Sequence, residues 1–299
     1  MIEATRCARI QRSVAPLRQD GVTRIGSIRT LLRASPKQAF CDKQRMMASA
    51  VSEERRPGLF VFAAHLQYGH VARLWLEASA QPRAGTIGRH EAVDLALPLD
   101  DALSLRHLLF VVRRAGQGVQ FQAIDLETSN GLQLETGQAA RLVEASGPLI
   151  LCASDFLFFC FPTGQPVPWD RDSRDPWSTL RPRQVSRSVS EWPAPAEELA
   201  GRLSVQSESG ARGAAFGASA LRRGVLVGRA ARCDLVVPVG TVSRIHAVFL
   251  QLEDGLWVMD AGSTNGLWRG DEEVKIARVV EGQPLELGSG PVVTWHAAH

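Results

Sequence analysis

The chain has 299 residues, room for about two domains of ordinary size. With 45% hydrophobic and 22% charged residues, 26 Gly and 16 Pro, it has a globular profile, which excludes a wholly disordered, collagen-like or coiled-coil chain. The net charge of +3 is too small to argue for nucleic acid, and five cysteines without a Cys-x-x-Cys pair speak against a disulfide framework or a structural zinc site and fit a reducing, cytoplasmic setting.

Residues 1–56 show no clear periodicity and predict a basic, disordered tail. Ten Lys/Arg face only Glu3, Asp20 and Asp42 in residues 1–45, so this stretch carries +7 and the remainder −4. Its plain reading is a solvated arm; an anion-binding arm is the alternative, and a nucleic-acid role would rest on it alone, because no zinc-finger or RNA-recognition motif supports one. Met46 and Met47 offer a second translation start just ahead of the ordered part. There is no secretory apolar core, and the longest apolar run, 149–161, is interrupted by Asp155 and falls short of the ~20 residues a membrane span needs, so no membrane partner is expected.

From Leu59 onward short apolar stretches alternate with Gly, Pro, Asn and Asp. Val119, Phe121 and Ala123 alternate with Gln120 and Gln122; Val248, Leu250 and Leu252 do the same before an Asp254-Gly255 turn. A period of two with frequent turns predicts an all-β, sandwich-type fold, and no long capped helix is expected. Residues 164–199 interrupt the pattern with Pro166, Pro168, Pro176, Pro182, Pro193 and Pro195, and read as a semi-rigid linker. Trp169, Trp177 and Trp192 within it are expected to dock back on a domain.

The two halves repeat. Gly88-Arg89 is followed by Asp94-Leu95-Ala96-Leu97-Pro98, and Gly228-Arg229, at the same spacing, by Asp234-Leu235-Val236-Val237-Pro238. Ser104-Leu105-Arg106-His107 matches Ser243-Arg244-Ile245-His246, and Asp125, Thr128-Ser129-Asn130-Gly131 matches Asp260, Ser263-Thr264-Asn265-Gly266. Only the His-to-Asp distance differs, and the four extra residues of the first copy fall at a hairpin tip, 114–118. The expected domains are 57–163 and 200–299.

Gly228-Arg229, Ser243-Arg244-x-His246 and Ser263-Thr264-Asn265-Gly266 together make residues 200–297 resemble the forkhead-associated (FHA) domain, a phosphothreonine-binding sandwich. The resemblance implies eleven strands with the binding residues on loops at one end. It implies phosphate contacts from Ser243 and Arg244, with Arg229 and Asn265 bracing the loops and the bound peptide. The chemistry agrees: a phosphothreonine carries about −1.5 to −2 charges and three strong acceptors, and Arg229, Ser243, Arg244 and Thr264 are the donors it needs. Gly228 and Gly266 read as backbone-geometry residues, His246 as a loop-pinning histidine and Asp260 as a strand end that caps a turn.

The first copy resembles the family less. Arg89, Ser104, Ser129 and Asn130 offer a second, degenerate site, with Gly88, His107 and Gly131 as its frame, but Leu105 stands where the second copy has Arg244. Arg106, one residue on, would point away from the site because side chains alternate along a strand. A structural platform is the alternative role for this copy.

No phosphate loop, zinc-protease helix, nucleophile elbow or dinucleotide fingerprint occurs, and the histidines are scattered, with His296 and His299 at the end of the chain. No catalysis, metal or cofactor is expected. The sequence therefore reads as a phosphothreonine-binding adaptor with a Ser/Thr kinase, or its substrate, as partner. Thr179, and Ser186, Ser188 and Ser190, are candidate phosphoacceptors, and phosphorylated Thr179 is a candidate internal ligand.

Overall fold

The computed structural model describes residues 17–19, 22–24, 35–98, 100–180, 185–189 and 198–298. The repeat folds as two sandwiches with one wiring. In the first, one sheet runs in the order Ala139–Ala140, Leu132–Leu134, Leu149–Ala153, Phe156–Thr163, Gly58–His65, Val71–Glu77. The facing sheet runs Leu142–Ala145, Gly118–Asp125, Leu108–Ala115, Arg83–Gly88, Leu95–Ala96. The second sandwich repeats both orders. One sheet is Glu272–Glu273, Leu267–Arg269, Leu285–Leu287, Val292–Ala297, Leu199–Ser207, Gly210–Gly217; the other is Ile276–Arg278, Gly255–Asp260, Ala247–Leu252, Val225–Gly228, Leu235–Val236. Each copy thus has eleven strands, the number the resemblance implies. Each also has a parallel pair at the same place, Ile87 beside Leu95 and Val227 beside Leu235.

The four extra residues of the first copy lengthen a hairpin. Its strands have eight residues each, against six each in the second copy, with the tip at Gly116 and the matching turn before Gly255.

Leu59, Phe121 and Phe158 lie in the first core and Leu203, Phe249 and Val258 in the second, while the alternating Val248, Leu250 and Leu252 of the sequence lie outside the second core. A third cluster lies between the sandwiches. Leu109, Val111, Ile124, Leu126 and Leu142 of the first pack with Leu226, Val248, Leu250, Trp257 and Met259 of the second. The strand 247–252 is therefore apolar on both faces: Ala247 and Phe249 fill its own core, while Val248, Leu250 and Leu252 face the other copy. Polar contacts rim this interface: Lys275 to Asp94 at 2.7 Å, Arg113 to Glu253 at 2.9 Å and Arg141 to Asp234 at 3.9 Å.

Two sequence expectations need correction. The stretch 1–56 contains a helix, Pro36–Glu53, and is not a uniform tail. Ser35 caps it, accepting the Gln38 N–H at 3.1 Å, and Pro36 suits the first turn, where no helical N–H is needed. Phe40, Gln44, Met47, Ala48 and Val51 recur at helical spacing and are buried against Phe60, Phe62, Phe159 and Phe161, so the helix runs through Met46 and Met47. It covers the outer face of the first sandwich, which is why strands 58–65 and 156–163 are buried along their whole length. The stretch 164–199 is likewise more than a spacer. Trp169 and Trp177 dock on the helix, with ring centroids 5.2 and 5.5 Å from Phe40, and Val185–Val189 adds a strand beside Leu142–Ala145. Trp192, Ser190, His299 and most of the basic arm lie outside the described residues. No described helix is long and apolar enough to cross a membrane.

Candidate functional site

The three motif segments of the second copy meet around His246. This ring is fully buried, and burial pushes its pKa below the usual imidazole value, so it is neutral. Its Nδ1 accepts the Ser243 N–H at 3.1 Å, which leaves the proton on Nε2 to donate to the Gly266 carbonyl at 2.8 Å. One imidazole thereby clasps two loops. Asp260 fixes the second loop by accepting the Gly262 and Ser263 N–H groups, each at 2.9 Å. Gly228 is required by close approach: a Cβ there would lie 2.4 Å from the Arg244 carbonyl oxygen. Gly266 is required by its φ of +76°.

The clasp presents donors. Ser243 Oγ accepts the Thr264 N–H at 3.0 Å and lies 3.4 Å from Thr264 Oγ1. Arg229 donates its N–H to the Ser243 carbonyl at 2.9 Å and its Nε to the Val242 carbonyl at 3.1 Å, which anchors its exposed side chain on the Ser243 loop. Asn265 donates Nδ2 to the Thr241 carbonyl at 2.8 Å, and its amide oxygen has no partner among the described residues. Arg244 is exposed and lines the cleft between the two sandwiches.

The sequence missed one participant. Arg106 of the first sandwich crosses the interface, donates Nε to the Gly262 carbonyl and places Nη2 3.3 Å from Thr264 Oγ1. It lies in the loop ahead of strand 108–115, where strand alternation does not apply, and its destination is the other copy's loop. Burial and the nearby Arg244 lower its pKa, and the Asp260 carboxylate opposes this.

The first copy reproduces the clasp. His107 Nδ1 accepts the Ser104 N–H at 3.1 Å and Nε2 faces the Gly131 carbonyl at 3.1 Å; Arg89 N–H meets the Ser104 carbonyl at 3.0 Å; Asn130 Nδ2 donates to the Ala102 carbonyl. Its donors are arranged more loosely. Arg89 pairs with the exposed Asp101 at 3.2 Å, and among the described residues the Ser104 and Ser129 hydroxyls lack the mutual contact of Ser243 and Thr264. Glu127 takes the place of Gly262 with a φ of +54° and is tied to Arg141 by an ion pair.

Other candidates are committed elsewhere. Thr179 donates to the Pro176 carbonyl and accepts the Asp170 N–H, both at 2.9 Å, within a turn packed on the first sandwich. His296 contacts Ser204 Oγ at 3.1 Å. Among the described residues one trio has metal-ligand chemistry, His65, Asp100 and Asp155, within 4.8 Å of one another. Its atoms serve the local fold: His65 Nδ1 accepts the Gln67 N–H, Asp100 the Asp155 N–H and Asp155 the Gln67 side-chain amide.

The family model that matches is that of the FHA domain, over residues 225–295. The second sandwich is an FHA domain. The first shares its strand order and loop clasp, so the chain is a tandem arrangement of FHA-type sandwiches. Similar solved structures include the FHA-1 domain of Rv1747 from Mycobacterium tuberculosis, at 26% identity, covering 33% of this chain and 99% of that one, with a TM-score of 0.28. The Slr1951 protein of Synechocystis sp. is 22% identical over 34% of this chain and 99% of its own, with a TM-score of 0.30. The yeast Dun1 FHA domain, solved with a doubly phosphorylated peptide derived from Rad53, is 21% identical over 38% of this chain and 84% of its own, with a TM-score of 0.30. A search of curated proteins finds no match.

Proposed function

We propose that this protein is a phosphothreonine-peptide-binding adaptor in Ser/Thr kinase signalling, a recognition module and not a catalyst. The observation that carries the reading is the pair of hydroxyls Ser243 and Thr264, 3.4 Å apart, held by the His246 clasp beside the Arg106 guanidinium, with Arg229 anchored on the Ser243 loop. That is a compact set of neutral and charge-assisted donors for a phosphate dianion. The unengaged amide oxygen of Asn265 suits the N–H of an extended peptide. Ligand recognition then needs no cofactor, and the partner is a kinase or kinase substrate that carries the phosphothreonine.

The test is a titration of the full chain against a degenerate phosphothreonine peptide library, with unphosphorylated and phosphoserine peptides as controls. The full chain is needed because the second sandwich shares a core cluster with the first. Phosphate-dependent binding that falls at least about tenfold in Ser243→Ala and in Arg229→Ala is expected, the loss of one hydrogen bond to a charged group. Binding indifferent to phosphate would instead make the chain a constitutive protein scaffold.

A further inference from the structure

The cleft between the two sandwiches, about 370 Å³, is lined by Arg89, Ser104, Arg106, Ser129 and Asn130 of the first copy and by Arg232 and Arg244 of the second. Four arginines thus meet at one cavity, and its only lining carboxylate is Asp101, already paired with Arg89. Arg244 lies close enough to Arg106 to disfavour its charge, against the stronger support of the Asp260 carboxylate. Among the described residues, neither the Arg232 nor the Arg244 guanidinium has a hydrogen bond or ion pair, and the buried Arg89 Nε has no acceptor. Open cationic donors in a concave, partly desolvated site favour the entry of an anion.

The same cavity is where the first copy lacks its expected arginine. Leu105 removes the guanidinium that position 244 supplies in the second copy, yet the partner sandwich brings Arg232 and Arg244 to the mouth of the cavity. Ser104 and Ser129 face it with hydroxyls that no described residue engages. Asn130, like Asn265, is anchored through Nδ2 and has an amide oxygen that no described residue engages. A larger cavity of about 970 Å³ continues beyond Asp101, Ala102 and Asn130, with room for chain beyond the phosphate.

We infer that this cleft is a second phosphopeptide site, built across the domain boundary: Ser104, Ser129 and Asn130 of the first copy orient the phosphorylated side chain, and Arg232 and Arg244 of the second copy supply the charge that Leu105 removed. The apparent degeneracy of the first copy is then complementation in trans, and the tandem reads two phosphorylated residues side by side. The inference rests on the phosphate chemistry of the proposed function, but concerns different residues.

The experiment uses the full chain and O-phospho-L-threonine, followed by backbone amide chemical shifts, with phosphothreonine peptides and inorganic phosphate as further probes. Saturable shifts are expected at Ser104, Arg106 and Ser129 as well as at Ser243 and Thr264. Arg232→Gln, in the second sandwich, is expected to weaken the response at Ser104 and Ser129 about tenfold while leaving Ser243 and Thr264 responsive. Ser243→Ala is expected to silence only the second set. If Ser243 and Thr264 respond while Ser104 and Ser129 do not, the cleft site is overturned and the proposed function stands. If Ser104 and Ser129 respond unchanged in Arg232→Gln and Arg244→Gln, the site is not composite and the inference fails. A response confined to Ser104 and Ser129 would overturn the Ser243–Thr264 site of the proposed function and keep the cleft. Equal shifts with inorganic phosphate and with phosphothreonine peptides would overturn the peptide ligand and leave an anion site only.

Discussion

His246 and His107 hold the most information per residue, because each joins a serine loop to a glycine carbonyl from a buried ring. His246→Ala is expected to cost about 1–3 kcal/mol of stability from orphaned buried polar groups, and to weaken phosphopeptide binding as the Ser243 loop loosens; urea unfolding and a peptide titration check both. Burial holds both imidazoles below their ordinary pKa. The unfolded chain takes up these protons near pH 6.5 and the folded chain only at lower pH. Their contribution is thus complete above about pH 6.5 and is lost as pH falls through that value toward the folded pKa. Urea midpoints are expected to drop between about pH 7.5 and about pH 5.5, with a shallower slope in His246→Gln. The clasp was legible as Ser-x-x-His and Asn-Gly spacing. The destination of Arg106 was not, because strand alternation does not apply in a loop and says nothing of what lies opposite.

The helix Pro36–Glu53 is the element the sequence concealed. Phe40, Gln44, Met47 and Val51 have helical spacing, but polar and charged residues surround so narrow a stripe that the stretch resembles its basic neighbourhood. Its attachment is local, so Phe40→Ala is expected to cost about 3–5 kcal/mol in that contact and release the helix before either sandwich melts. Hydrogen exchange of residues 36–53 against that of strand 247–252 measures the difference. The hairpin 108–125 shows the opposite case. Its extra length was readable as four additional residues at a tip, and the extension carries Arg113 to Glu253 of the second copy.

At the scale of the molecule, the duplication of the fold and both loop sets followed from the repeat, whereas the strand order and the joint between the copies did not. An apolar run such as Ala247-Val248-Phe249-Leu250 signals burial on both faces without naming the second cover. Because Leu250 belongs to the shared cluster and not to its own sandwich core, Leu250→Asp is expected to part the copies while leaving each folded. Small-angle scattering should then show a larger radius of gyration with unchanged β-sheet circular dichroism, and the wild-type chain should melt in one calorimetric transition. The duplicated clasp has a consequence of another kind. His107 and His246 bind a serine N–H and a glycine carbonyl from the same ring atoms, one beside Leu105 and Ser129 with an added contact from Nε2 to Thr128 Oγ1 at 3.0 Å, the other beside Arg244 and Thr264. The molecule therefore contains its own matched control: a single change made at one twin and then the other separates what the scaffold contributes from what the neighbouring side chains add, within one polypeptide and one solvent.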